Sequence, residues 1–353
     1  MATSNLSHLW PGVPLALASA LAFGASTPLS KKLLASVDPQ LLAGLLYLGA
    51  GIGLAAVHLA RSAFGIPAQE APLRKTDMPW LGAIVLFGGI IGPLLLMLGL
   101  FRTEAAPGAL LLNLESLATM GLAWLAFREN VDQRLLLGAF AIVAGAVVLS
   151  WEGQGVEINA GAGLIAGACL AWGIDNNLTR KLSAADPVTI AMLKGLVAGT
   201  VNTGLALWWG AALPSAGILG AAAIVGFIGI GVSLVLFIFG LRHLGAARTG
   251  AYFSLAPFIG ALLAIFFLGE PLTARLAVAG ALMGLGLWLH LTERHQHEHR
   301  HQAIGHEHSH THDDHHQHLH DGPVTEPHSH WHRHTPLRHT HPHYPDLHHR
   351  HPH

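Results

Sequence analysis

Three ionisable side chains interrupt otherwise apolar sequence, and each could do chemistry there. Glu115 lies in Asn113-Leu-Glu115-Ser116 with Thr119 one helical turn along, Asp175 opens Asp175-Asn176-Asn177, and Lys194 follows in Met192-Leu-Lys194-Gly195. Taking a charge out of water is expensive, so an ionisable residue in an apolar run is by default a functional candidate. Glu115 shares its run with no second acid, and we expect it to exchange a proton during a cycle or to contact a substrate. Asp175 and Lys194 carry opposite charges and can neutralise one another between neighbouring segments, whether or not they also bind a ligand. A separate chemistry is concentrated at the C-terminus, where 23 of the 27 His fall from His295 onward. The run His306-Glu-His308-Ser-His310-Thr-His312, with His315, His316, His318 and His320 behind it, offers neutral imidazoles at a density that binds Zn²⁺, Ni²⁺, Co²⁺ or Cu²⁺ without a fixed fold. Divalent metal ions are therefore expected partners of the tail, and no cofactor is required elsewhere.

Two matches to the zinc-protease pattern, His297-Glu298-His299-Arg300-His301 and His306-Glu307-His308-Ser309-His310, arise by chance at this His density. That chemistry needs a rigid helix beside an open metal position, and the tail has no apolar face on which to dock one. An enzyme is not expected. The single cysteine, Cys169, excludes an intramolecular disulfide and any Cys-cluster metal site.

The elements that must position these groups follow from composition. The 353 residues are 52% hydrophobic and only 11% charged, against about 25% charged in ordinary soluble domains. A formal net charge of −1 gives no electrostatic reason to bind nucleic acid. Apolar stretches of the length a helix needs to cross a bilayer recur at 12–33, 39–60, 79–101, 105–127, 134–151, 160–181, 187–210, 216–241, 246–268 and 274–292. Ten passes are expected, the first retained rather than read as a cleaved leader. Lys and Arg near the ends favour a cytoplasmic N-terminus: Arg61, Arg74, Lys75, Arg128, Arg134, Arg180, Lys181, Arg242 and Arg248 then lie inside, against Lys31, Lys32, Arg102 and Arg275 outside. Both termini are placed in the cytoplasm and the protein in the plasma (inner) membrane, with lipid as its principal partner.

The chain resembles itself. Leu21-Ala-Phe-Gly24, Leu29-Ser-Lys-Lys-Leu33 and Asp38-Pro39 match Leu170-Ala-Trp-Gly173, Leu178-Thr-Arg-Lys-Leu182 and Asp186-Pro187 with one residue of slip. Further on, a constant offset of 141 pairs Ala105-Ala106 with Ala246-Ala247, Glu129 with Glu270, Arg134 with Arg275 and Gly145 with Gly286. Five passes per half is an odd number, so the halves enter the membrane in opposite senses, the inverted repeat that suits alternating access. The expected organisation is a short N-terminal segment (1–11), two five-helix repeats (12–151 and 152–292) and a disordered His-rich tail (293–353).

The segments Phe127-Arg-Glu129-Asn-Val-Asp-Gln-Arg134-Leu-Leu-Leu-Gly138, leading to Gly145, and Leu268-Gly-Glu270-Pro271-Leu-Thr-Ala-Arg275, leading to Gly286, resemble the paired signatures of EamA-type permeases of the drug/metabolite transporter superfamily. The resemblance covers 12 to 292. It implies an all-α membrane protein of ten helices, cytoplasmic termini, and export or exchange of a small-molecule substrate; the signature marks fold rather than substrate. The first copy has Asn130 where the second has Pro271, which bears on helix entry more than on function.

The repeat also aligns Ser26, Thr27 and Pro28 with Asp175, Asn176 and Asn177, and Tyr252 and Ser254 with Leu111 and Asn113. A proline within a pass frees backbone carbonyls, and such helices tend to face a cavity. A midplane pocket of Glu115, Asn113, Asp175, Asn176, Lys194, Ser26, Thr27, Tyr252 and Ser254 is expected. Taken singly, Ser26, Thr27 and Ser254 suit helix-packing hydrogen bonds, as do Asn202 and Thr203. Three functions fit these residues: a secondary exporter of small metabolites with an accessory metal-binding tail, a divalent-metal or metal-chelate exporter whose tail collects or senses the ion, and a membrane-anchored metal buffer. Neither the substrate, the coupling ion nor the oligomeric state is written in the sequence.

Overall fold

The computed structural model describes residues 12–65, 73–127, 133–151, 159–179, 182, 185–291 and four stretches of the tail, 296–300, 305–310, 328–333 and 338–342. The body is helical. Its first part runs through α1 (Gly12–Leu33), α2 (Pro39–Ala63), α3 (Met78–Ile84), a π-helical turn (Val85–Ile91), α4 (Gly92–Phe101), α5 (Ala105–Leu111), α6 (Leu114–Phe127) and α7 (Gln133–Ser150). The second runs through α8 (Ala160–Thr179), α9 (Pro187–Trp208), α10 (Ala216–Gly226), a second π-helical turn (Phe227–Val232), α11 (Ser233–Phe253), α12 (Ala256–Leu268) and α13 (Ala274–Leu291). Among the described residues, six helical stretches are by themselves long and apolar enough to cross a membrane: Gly12–Leu33, Pro39–Ala63, Lys75–Phe101, Gln133–Ser150, Pro187–Trp208 and Ala216–Gly240.

Local chemistry explains where helices begin. The Asp38 carboxylate accepts from the amides of Gln40 (2.9 Å) and Leu41 (3.1 Å) at the start of α2, and Asp186 accepts from those of Val188 (3.3 Å) and Thr189 (3.1 Å) at the start of α9. In each case a proline, Pro39 or Pro187, follows the cap, where its missing N–H costs nothing and its fixed φ suits the first turn. The matching Asp-Pro dipeptides are thus matching helix caps.

Two expected passes are arranged differently. The stretch expected at 105–127 is divided at Leu112–Asn113 into α5 and α6. The stretch expected at 246–268 has no start of its own, because α11 continues unbroken to Phe253 and the chain turns only at Ser254–Leu255. Pro107 in the first turn of α5 lacks the N–H that would let α4 continue through it. The residue at the same place in the second half is Arg248, which keeps its N–H, and the helix runs on.

Across the body α2 packs on α9, α7 on α13, α1 on α11 and α12, and α8 on α4 and α6. The α7–α13 crossing shows why glycine recurs: a Cβ on Gly145 would stand 2.9 Å from the Ala279 carbonyl oxygen, and one on Gly286 2.5 Å from that of Gly138. These two contacts interchange under the offset of 141. The interior between the helices is apolar, with Leu41, Leu42, Leu100, Leu111, Ile142, Ile165 and Met283 essentially inaccessible. Leu125, Phe140, Trp208, Phe266 and Phe267 point outward, as expected of a surface that meets hydrocarbon.

Beyond α13 the sequence suggests no regular structure, yet the described tail residues pair. Strand β1 (Gln296–Arg300) lies antiparallel to β4 (Arg338–Pro342), and β2 (Gly305–His310) to β3 (His328–Arg333), with His306 opposite His332 and His308 opposite His330. Ladder hydrogen bonds need only extended backbone, not an apolar face, which is why composition alone did not reveal them.

Candidate functional site

The polar groups converge where α8 meets α6, α9 and the first π-helical turn. Near its C-terminal end α8 presents Asp175, Asn176 and Asn177 in succession, and their side chains leave in three directions, as successive residues on a helix must. Asp175 faces α9, where Lys194 Nζ donates to its Oδ2 at 2.5 Å; both residues are buried. Thr179, one turn further on, adds a longer contact of 3.3 Å to Oδ1. Asn176 faces α6, and its Nδ2 donates to Glu115 Oε1 (2.9 Å) and to Thr119 Oγ1 (3.2 Å). Asn177 donates to the carbonyls of Thr119 (3.0 Å) and Gly173 (2.9 Å), tying α8 to α6.

The π-helical turn at Val85–Ile91 forms the wall behind the ion pair. Widening a helix by one residue per turn leaves carbonyls off the regular ladder, and such bulges recur at functional sites. Here Gly88 O accepts from Tyr47 OH (2.8 Å) and from Trp172 Nε1 (3.1 Å), and Ile90 O accepts from Asn202 Nδ2 (3.3 Å). Gly88 must be glycine: a Cβ there would run into the Asp175 carboxylate and lie 2.5 Å from Lys194 Nζ. The second turn, Phe227–Val232, sets Gly229 against Ser26, 2.5 Å from Cβ to Cβ if a side chain were present. Gly88 and Gly229 are 141 residues apart, and Asp175 and Ser26 are the residues the repeat aligns.

Asn113 and Ser254 sit at the two helix breaks. Asn113 donates through Nδ2 to Leu110 O at 2.8 Å and lies 3.8 Å from Met283 Sδ; Ser116 Oγ donates to Asn113 O at 2.8 Å. Ser254 Oγ donates to Gly250 O at 2.8 Å. Ser26 donates to Phe23 O at 2.6 Å, and Ser26 and Thr27 are buried. Tyr252 is half-buried near the second break.

The structure therefore brings together Glu115, Asn176, Asp175 and Lys194 directly. Asn113 adjoins them through Ser116. Ser26, Thr27, Tyr252 and Ser254 occupy the corresponding places of the other half, where Ser26 and Ser254 bond to carbonyls of their own helices. Tyr47, Trp172 and Gly88 were not singled out from sequence. Gly88 alone left a signal, its glycine partner 141 residues on, whereas a lone Tyr and a Trp in apolar passes look like packing residues. Of the tail candidates, His306, His308 and His310 lie along β2, while His312, His315, His316, His318 and His320 lie outside the described residues. Among the described residues no three His, Cys, Asp or Glu gather as a metal ion requires.

Burial changes at the break between α5 and α6. From Gly108 to Asn113 every residue is buried, whereas Leu114 to Leu122 are all partly exposed. Glu115, Ser116 and Thr119 thus lie on the less closely packed side of the helix break at Asn113.

Comparison with known proteins gives four findings. A family described as the EamA-like transporter family matches residues 10–151 and again 159–292. An uncharacterized transporter of Methanothermobacter thermautotrophicus is 30% identical over 298 residues, covering 80% of this chain and 86% of that protein. The uncharacterized transporter YyaM of Bacillus subtilis is 25% identical over 248 residues, covering 66% and 79% respectively. A solved crystal structure, 19% identical, superposes with a TM-score of 0.60 over 80% of this chain and 98% of its own, which speaks to fold alone.

Proposed function

Since the chain belongs to the EamA-like transporter family, and is a multi-pass membrane transporter rather than an enzyme, we propose that it is a secondary exporter of a small metabolite working by alternating access. Two five-pass halves of opposite orientation, with both termini in the cytoplasm, form the carrier. The interchange of Gly145–Ala279 with Gly286–Gly138, and of Gly88–Asp175 with Gly229–Ser26, supports such a pairing about an axis in the membrane plane.

The observation that carries the reading is the Asn176–Glu115 hydrogen bond beside the Asp175–Lys194 ion pair, on a stretch of α6 that is partly exposed. An Asn amide can donate to Glu115 whether or not that carboxyl is protonated, so the group can change charge without losing its partner. Substrate enters from one side of the membrane and exchanges places with a proton on Glu115 as the two ends of the carrier trade roles. The Asp175 carboxylate is already engaged by an ammonium, so a divalent cation would have to displace Lys194 to use it. We assign metal ions to the tail instead, as an accessory store in the cytoplasm.

Uptake into proteoliposomes from a panel of metabolites, with and without a pH gradient, tests the carrier. Gradient-stimulated flux of at least one compound, lost in Glu115→Gln at unchanged protein level, is the expected result; pH-dependent flux persisting in that variant removes Glu115 from the coupling role. Deleting residues 295–353 should reduce metal tolerance and leave metabolite flux intact.

A further inference from the structure

The start of α5 is held by a contact between the halves. Helix α5 starts afresh after Arg102-Thr103-Glu104, so the amides of Ala105 and Ala106 have no partner within a preceding turn. Both are taken by one carboxylate from the other half: Glu270 Oε1 accepts from Ala105 N at 2.6 Å and Oε2 from Ala106 N at 2.7 Å. Glu270 reaches them because Gly269 ends α12 in the left-handed region, at φ 69°, and turns the chain across the end of the bundle. The end of α4 is tied as well, with Lys31 Nζ, from the last turn of α1, donating to Leu100 O at 2.7 Å. Hydrogen bonds to an ionised carboxylate are among the strong ones, and here two of them join the halves next to the stretch Gly108–Asn113, every residue of which is buried.

At the corresponding place in the second half the arrangement differs. Ala246 and Ala247, the repeat counterparts of Ala105 and Ala106, lie inside unbroken α11, where their amides belong to a continuing helix. The start of α5 thus offers freed amides to a carboxylate, whereas the corresponding stretch of α11 frees none.

We propose that Glu270 is a gating residue: its carboxylate, bridging the Ala105 and Ala106 amides, holds α5 against the α12–α13 connection, and must release them for the site to open on that face. Glu270 touches no substrate in this role and acts by setting which face is accessible. The inference rests on the carrier reading above.

The test uses the full chain with Cys169→Ala and Ser116→Cys, Ser116 being partly exposed on α6, in membrane vesicles of both orientations. A membrane-impermeant maleimide should label this parent quickly from the face where α6 ends and slowly from the face where α5 begins. Glu270→Gln, which keeps size and removes charge, should raise the slow rate by about tenfold, the effect of losing charge-assisted hydrogen bonds from one of two states. Ala105→Pro should act in the same direction: it deletes one of the two amides at a helix position that accepts proline, after a Glu104 already extended at ψ 157°. A parent labelled from one face only would sink alternating access itself. A parent labelled from both faces, with a slow rate that neither substitution moves, would overturn the gate and leave the carrier standing. Should both variants be lost from the membrane, spin labels at the exposed positions Arg102 and Leu272 in protein with Glu270 intact decide the matter: a major short and a minor long separation are expected, and one unchanging separation overturns the gate.

Discussion

In the first half the π-helical turn Val85–Ile91 is met by Asp175, Lys194, Tyr47, Trp172 and Asn202, and its freed carbonyls are bonded. In the second half the turn Phe227–Val232 is met by Ser26, whose hydroxyl bonds back to its own helix. The same asymmetry holds elsewhere: Glu115 corresponds to Ala256, Asn176 to Thr27 and Trp172 to Phe23. Duplication has kept the backbone plan in both copies, down to the bulges and the breaks at Asn113 and Ser254, while the charge has collected beside one bulge. A carrier needs two similar halves to interchange its open and closed ends, but it needs only one set of groups to hold what it carries.

The comparison breaks most visibly if the carboxylate can be moved. Glu115→Gln with Ala256→Glu places an acid at the corresponding point of the other half, where Thr27 and Gly260 stand in for Asn176 and Thr119. We expect pH-coupled flux to stay at least about tenfold below the parent, measured in proteoliposomes; restored coupling would mean that depth alone matters. Next in size is the ion pair. Lys194→Met leaves Asp175 buried without its cation, and a loss of about 3–5 kcal/mol is expected, read as thermal unfolding in detergent. The double variant Asp175→Asn with Lys194→Met should recover most of it. Failure to recover would show that the pair does more than neutralise itself. Tyr47→Phe removes one of two donors to Gly88 O, so about 0.6 kcal/mol is expected, within the range of side-chain hydrogen bonds between membrane helices. The smallest effect belongs to the half without charge: Ser254→Ala loses only a bond to its own helix at Gly250 and should shift stability by no more than about 0.5 kcal/mol.

Much of the plan was legible from residue types. The Asp-Pro dipeptides marked the starts of α2 and α9 because a cap and a first-turn proline are local devices. The offset of 141 found Asn113 with Ser254, and the opposite charges of Asp175 and Lys194 on neighbouring segments pointed to their pairing. Where the helices differ from the expected passes, hydropathy was not the deciding property. Nothing near Arg242–Gly245 shows that α11 continues past it, since that depends on Arg248 standing where Pro107 stands in the other half. The role of Glu270 was equally hidden: as part of a signature it marked a family, and only the folded chain brings it to two amides 165 and 164 residues away.

The amino-acid sequence by itself determined that this chain lives in a membrane, that it is built twice, and which few side chains carry charge at depth, because hydropathy, period and charge are properties of residues in order. The tertiary structure alone decided which of those charges meet, that Asn176 rather than Lys194 attends Glu115, and that Glu270 bridges the amides of Ala105 and Ala106. Those outcomes depend on separations of a few ångströms between helices far apart in the chain, and no spacing along the sequence encodes them.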